Sequence, residues 1–249
     1  MQISKELISH IPIHDEIQDK PEYWNQSDVL LNDTTRATTE QAKLNPKAGF
    51  ENSDTGNMST IAELYELCKR YNIIENGKIA ELGCGGGRLC MIWNAMSKHF
   101  NMNLDIIGID HAPGAIAVCK ERMPENKFYV LSASRVNELD ECPLDIVYSH
   151  TVIQHNSWWK QDRIFEAIYD ALAPAGLFYM INEMTFNSIN SFPQEMPHKT
   201  EFTPFYCDGR GSAGTAAWWV ARIADFGFEL MEYKRSSYIF RKIKEWPDD

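Results

Sequence analysis

The sequence predicts an α/β fold, doubly wound around a mainly parallel sheet, and three observations carry that prediction. From residue 78 onward, short apolar runs of strand length alternate with longer segments of helical periodicity, the pattern of a parallel sheet with helices on both faces. A glycine-rich stretch, Ile79-Ala80-Glu81-Leu82-Gly83-Cys84-Gly85-Gly86-Gly87-Arg88, joins the first run to the first of those helices. Two closing apolar segments, 228–233 and 237–243, read as an antiparallel hairpin that ends the sheet.

Residues 1–55 are polar and irregular, with Pro12, Pro21 and Pro46 interrupting any long helix and Asn, Asp and Thr filling 25–40. We read 1–57 as an N-terminal cap that either wraps the core or acts as a lid, and 58–249 as the main domain. Thr60 followed by Glu63 has the form of a capping box, and Ile61, Leu64, Cys68 and Tyr71 recur at helical spacing, so a helix precedes the first strand. Strands are expected at 78–82, 105–110, 127–131, 144–149 and 177–182, with helices at 87–98, 113–122 and 158–172. The crossover 132–143 is short and polar and is assigned no element. A Phe-, Pro- and Gly-containing insertion at 183–214 reads as an inserted lid, and a helix near 215–226 leads into the hairpin.

With 249 residues and 44% hydrophobic content, the chain can bury about 70–75% of its unfolded surface without a metal or disulfide. The net charge of -11 and pI near 5.1 argue against a protein that holds nucleic acid by neutralising phosphates. Six cysteines without a C-x-x-C pair read as reduced, buried thiols. The first residues carry Lys5, Glu6, His10, His14, Asp15 and Glu16 with no apolar leader, and no run approaches the ~18 apolar residues of a membrane span. The expectation is a cytoplasmic protein with no membrane partner.

The glycine stretch is built for a ligand. Without a Cβ, glycine takes positive φ and lets a bound molecule approach main-chain N–H groups, here where a helix begins. A dinucleotide fingerprint needs a third glycine where Arg88 stands, and lacks it. The segment from Glu81 to Gly87 instead resembles the first motif of the class I S-adenosylmethionine-dependent methyltransferases, an acidic residue two places before Gly-x-Gly-x-Gly. Three further landmarks follow in that family's order. Ile106-Ile107-Gly108-Ile109-Asp110 is a strand ending in an acidic residue; Asp145-Ile146-Val147-Tyr148-Ser149-His150 is a strand opened by aspartate and closed by a ligand-facing turn; Leu172-Ala173-Pro174-Ala175-Gly176-Leu177 is similar to its helix-to-strand turn. Together they cover about 76–182.

The resemblance implies a seven-stranded sheet, S-adenosylmethionine as cofactor and S-adenosylhomocysteine as product. It implies that Gly83, Gly85 and Gly87 cradle the amino-acid part and that Asp110 holds the ribose, since a carboxylate accepts two hydroxyl hydrogen bonds at once. Asp110 as a helix N-cap ahead of Pro113 is the plainer alternative. Glu81 either touches the ligand or poises the loop, and Arg88 either pairs with the cofactor carboxylate or faces solvent. Where the family commonly has an acidic residue near adenine, this chain reads Leu131-Ser132-Ala133-Ser134, which leaves backbone groups or Ser134 to hold the base. Ser149 lies in the turn beside the methyl.

The sulfonium is already an activated electrophile, so the protein's tasks are in-line positioning and, for a hydroxyl or ammonium acceptor, removal of a proton. Histidine titrates near neutrality and suits the second task, so His150 and His155 are candidate bases; the alternative is that they only order the loop. Glu183 either faces the pocket or is a strand-end charge in water. Trp158, Trp159, Phe186, Phe192, Phe202, Phe205, Tyr206, Trp218 and Trp219, with Tyr23 and Trp24, either wall an apolar substrate site or anchor loops to the core. No metal site is expected, because the turn after the fourth strand lacks an acidic cluster and the cysteines are unpaired in sequence. Nucleic-acid base methylation is disfavoured because Ser149-His150-Thr151 stands where amino-methylating enzymes carry Asn/Asp-Pro-Pro-aromatic.

The expected reaction is methyl transfer to O or N of a small molecule. The alternatives are methylation of a peptide or protein at a terminal amine or carboxylate, a cofactor-binding regulatory or scaffold subunit without turnover, and a nicotinamide oxidoreductase.

Overall fold

The computed structural model describes residues 61–73, 75–153, 156, 158–181, 216–234 and 237–243. The cap 1–57, the proposed capping box at Thr60 and the insertion 183–214 lie outside the described residues, as do His155, Glu183 and the insertion's aromatics. The elements run α1 (Ile61–Arg70), β1 (Glu75–Leu82), α2 (Arg88–His99), β2 (Asn103–Asp110), α3 (Pro113–Arg122), β3 (Lys127–Val130), a 3-10 helix (Ala133–Glu138), β4 (Leu144–His150), α4 (Trp158–Ala171), β5 (Leu172–Ile181), α5 (Ala216–Ala224), β6 (Phe228–Lys234) and β7 (Ser237–Lys242). The seven strands form one sheet in the order β3-β2-β1-β4-β5-β7-β6, with β7 antiparallel to both β5 and β6 and every other pairing parallel. The doubly wound sheet, its seven strands and its closing hairpin are therefore as expected.

Successive strand residues point to opposite faces, and both faces are covered, which is why these strands read as unbroken apolar runs. One core joins Ile79, Ile146, Tyr148 and Tyr179 to Leu64 and Cys68 of α1, Cys90, Trp93 and Met96 of α2 and Ile116 and Cys119 of α3. The other joins Ala80, Leu82, Ile107, Val147, Phe178 and Phe240 to Ile164, Phe165 and Ile168 of α4 and Trp219 and Ile223 of α5. Trp219 is fully buried and meets Phe165 edge-on at 6.5 Å, so it belongs to the core rather than to an aromatic wall. Trp218 is half-buried, with the Arg222 guanidinium 5.0 Å from its ring centroid, and Trp159 is exposed.

Asp145, which opens β4, accepts the Lys78 N–H at 2.8 Å, fastening the central strands at the end opposite the glycine loop. The open crossover contains the 3-10 helix, whose Val136 is buried in the second core. The boundary at 172 needs correction: α4 ends at Ala171 and β5 begins at Leu172, because Leu172 already pairs with Leu144 before regular register resumes at Ile146–Leu177. Between them Ala175 takes φ +63. A Cβ in the left-handed region costs about 1–2 kcal/mol, partly offset in glycine by its larger entropy in the unfolded chain. Ala175→Gly is therefore expected to stabilise the protein by about 0.5–1 kcal/mol in urea denaturation, with an unchanged m-value.

Candidate functional site

The strand order reverses between β1 and β4, since β2 and β3 extend to one side of β1 and β4 and β5 to the other. Ligands of open α/β sheets bind outside the carboxyl ends of the strands at such a point. Register sets what stands there. Leu82, the last residue of β1, pairs with Ile109 on one side and Ser149 on the other. The next rung therefore brings together Gly83, Asp110 and His150.

Gly83, Gly85 and Gly87 all take positive φ, at 58°, 51° and 80°. Such alternation with ordinary φ turns successive N–H groups towards one concave side. Side chains also need the missing Cβ atoms: one on Gly83 would lie 2.7 Å from Val152 Cγ2, and one on Gly87 2.6 Å from Met123 Cε and 2.9 Å from Cys119 Sγ. Gly83 thus lets the turn after β4 pack directly on the glycine loop.

Asp110 is nearly buried, at 8% exposure. Its Oδ2 accepts the Gly85 N–H at 2.9 Å and its Oδ1 accepts the Ala112 N–H at 2.8 Å, while His111 Nδ1 lies 3.6 Å from Oδ1. The N-cap of α3 falls on Ala112, so Asp110 supports the helix start from outside it. The Cys84 N–H donates to Ile109 O at 2.9 Å, a second tie between the loop and the end of β2.

Glu81 is buried and accepts a hydrogen bond from the Cys90 thiol at 3.0 Å. Arg88, the first residue of α2, is only 8% exposed, which overturns the alternative that it faces solvent. Ser134 lies in the 3-10 helix after β3, its hydroxyl 3.0 Å from that of Ser132. Ser149 is fully buried at the end of β4.

His150 is half-buried, with Nδ1 3.3 Å from Thr151 Oγ1. Thr151 takes φ +58 while its N–H still bonds Ile181 O at 3.0 Å, so the chain turns sharply as it leaves the sheet. Beyond it, Asn156 Nδ2 donates to Val152 O, and the buried Gln161 Nε2 donates to Ile153 O and Asn156 O. Helix α4 thereby holds the turn that follows β4.

Sequence reading missed the face of α3 behind the loop. The Cys119 thiol donates to Gly85 O at 3.1 Å and Arg122 Nη1 to Gly86 O at 3.0 Å, and Met123 fills the space under Gly87. The available signal was spacing: positions i, i+3 and i+4 share one side of a helix.

The thiols beneath the loop are poor nucleophiles. Cys84 is lowered by its hydrogen bond with Cys119, but the bond with Cys90, burial and Glu81 hold it well above the usual thiol range. For Cys90 the bond with Cys84 also lowers, while burial and Glu81 push it up to about 12. Cys119 is raised by its bond with Cys84 and by burial, with Glu81 and Asp110 adding to the effect. Protonated thiols are what the donations from Cys90 and Cys119 require. Among the described residues, no group of three or more His, Cys, Asp or Glu side chains comes together to hold a metal, and no helix is long and apolar enough to cross a membrane.

A family model described as a methyltransferase domain matches residues 79–176. A trans-aconitate 2-methyltransferase of Variovorax paradoxus is 25% identical over 114 residues, 45% of this chain and 40% of that protein. A carboxy-S-adenosyl-L-methionine synthase of Desulforapulum autotrophicum is 27% identical over 109 residues, 43% of each chain. The chain thus spans about two fifths of the length of the curated relatives it matches. Among solved structures, a SAM-dependent methyltransferase from Methanosarcina mazei has a TM-score of 0.53 at 18% identity, covering 73% of this chain and 99% of that one, a likeness of fold.

The loop's dependence on absent side chains can be measured. Gly87→Ala is expected to cost about 2–4 kcal/mol in urea denaturation, the sum of left-handed strain and overpacking against Met123. In a double-mutant cycle, Met123→Ala should recover about 1 kcal/mol of that loss.

Proposed function

We propose that the chain is a class I, S-adenosylmethionine-dependent methyltransferase, a reading supported by the methyltransferase-domain match over residues 79–176 and by the fold, and that it transfers a methyl group to oxygen or nitrogen of a small-molecule acceptor in the cytoplasm. The observation that carries the cofactor side of this reading is the bond from the Gly85 N–H to Asp110. It ties the glycine turn to the carboxylate that would hold the ribose, and Arg88 in place of the third glycine favours the sulfonium nucleoside over a dinucleotide.

The residues present fit that cofactor. Gly83, Gly85 and Gly87 leave room for its amino-acid part, and Arg88 is a cation of suitable charge for its carboxylate. A carboxylate has about four acceptor sites, so Asp110 retains capacity for ribose hydroxyls beside its two backbone bonds. Glu81 poises the loop through α2, and Ser134 and Ser149 complete the edges at the base and at the methyl. When bound, the cofactor supplies a methyl group on a sulfonium leaving group.

His150 is proposed to take the acceptor's proton. In the tautomer whose Nδ1–H donates to Thr151 Oγ1, Nε2 is left as an acceptor, the form a general base needs. His155 is the other candidate. A small-molecule acceptor is supported by the relative named for trans-aconitate. Cytoplasmic placement is supported by free thiols at all five described cysteines.

Two variants test these roles. Asp110→Ala is expected to weaken S-adenosylhomocysteine binding by about 1–3 kcal/mol in calorimetry while the protein stays folded; unchanged affinity rejects the ribose role. His150→Ala is expected to lower turnover by about 10²–10⁴ if that side chain is the base, and near-normal turnover removes it from candidacy. Labelled methyl transfer into a size-fractionated cell extract finds the acceptor class: label in small molecules supports the proposal, while label in polypeptide or nowhere supports a protein methyltransferase or a subunit without turnover.

A further inference from the structure

The four carbonyls of the loop from Cys84 to Gly87 are all turned into the protein. Cys84 O accepts the Gly87 N–H and Gly87 O accepts the Met91 N–H, both bonds made within the loop and helix α2 themselves. The two middle carbonyls are different: Gly85 O receives the Cys119 thiol and Gly86 O receives Arg122 Nη1, both from α3. These two peptide units join consecutive glycines, the residues least able to hold their own dihedral angles.

A trans peptide is planar, with N–H and C=O pointing in opposite directions. A clamp on Gly85 O therefore aims the Gly86 N–H away from α3, and a clamp on Gly86 O holds the peptide unit whose Gly87 N–H closes the turn onto Cys84 O. Rotation of either unit would reverse it and bring a carbonyl to where an amide had been. Hydrogen bonds to charged donors are roughly twice as strong as neutral ones, so Arg122 is the stronger of the two holds. Among the described residues its guanidinium makes no ion pair, although the chain carries 35 acidic residues.

We propose that α3 is a clamp on the cofactor loop and that Arg122 is its positioning residue, fixing the conformation of the glycine turn against which the cofactor lies without touching the cofactor. This rests on the S-adenosylmethionine reading. Arg122 thereby acts on cofactor affinity, and the acceptor side of the site is untouched by it.

The test compares the full-length chain with Arg122→Met, which keeps the stem and removes the charge, and with Arg122→Lys, which restores one charged donor. S-adenosylhomocysteine affinity is expected to fall about 10-fold in the Met variant, the loss of one charged hydrogen bond, and to return to within about threefold of wild type in the Lys variant. The KM for S-adenosylmethionine should rise more than kcat falls, and the acceptor KM should stay put. Hydrogen exchange at the amides of residues 85–87 should quicken in the Met variant while β1 and β2 stay protected. Wild-type affinity together with wild-type exchange in the Met variant overturns the clamp, as does a loss that Lys fails to restore. If wild type itself binds no S-adenosylhomocysteine, the cofactor reading fails, and exchange alone then decides the clamp. Should the Met variant not fold, the Lys variant decides: affinity within threefold of wild type supports the clamp and a tenfold loss overturns it.

Discussion

The hydrogen bond from the Gly85 amide to the Asp110 carboxylate joins the two parts of the site that sequence places 25 residues apart. One oxygen holds the glycine turn after β1 and the other holds the start of α3, so one side chain sets the spacing of loop, strand end and helix. The bond lies in a region with little exposure to water, where its electrostatics are weakly screened.

That bond works because the sheet delivers its partners in register. Leu82 is flanked by Ile109 and Ser149, so the turn residues of three strands emerge on one level. Packing then locks the turns to one another: Val152 rests on the bare Cα of Gly83, and Met123 and Cys119 occupy the space under Gly87. The glycines serve two purposes here, giving the loop its positive φ and admitting side chains from the C-terminal end of α3 and from the turn after β4.

The fold was legible because parallel strands covered on both faces read as apolar runs, and Ile106-Ile107-Gly108-Ile109 is such a run. Its end was legible for the same reason, since Asp110 breaks it. Residues 75–77 of β1 and 172–176 of β5 were not, because Asn76, Gly77, Pro174 and Ala175 carry turn chemistry although neighbouring pairings draw them into the sheet. The burial of Arg88 was hidden because a charged residue in a first helical turn is usually solvated. The hold of Arg122 on the loop was hidden because it depends on where α3 crosses a loop 36 residues earlier in the chain, a matter of tertiary packing.

The proposed function stands on a glycine loop, with Arg88 where a dinucleotide turn needs its third glycine, receiving a sulfonium nucleoside. Calorimetric titration of the full-length chain with S-adenosylmethionine and with NAD under the same buffer tests that directly. We expect saturable one-to-one binding of S-adenosylmethionine and no detectable heat from NAD; NAD binding as tightly or more tightly, or neither ligand binding, would contradict it.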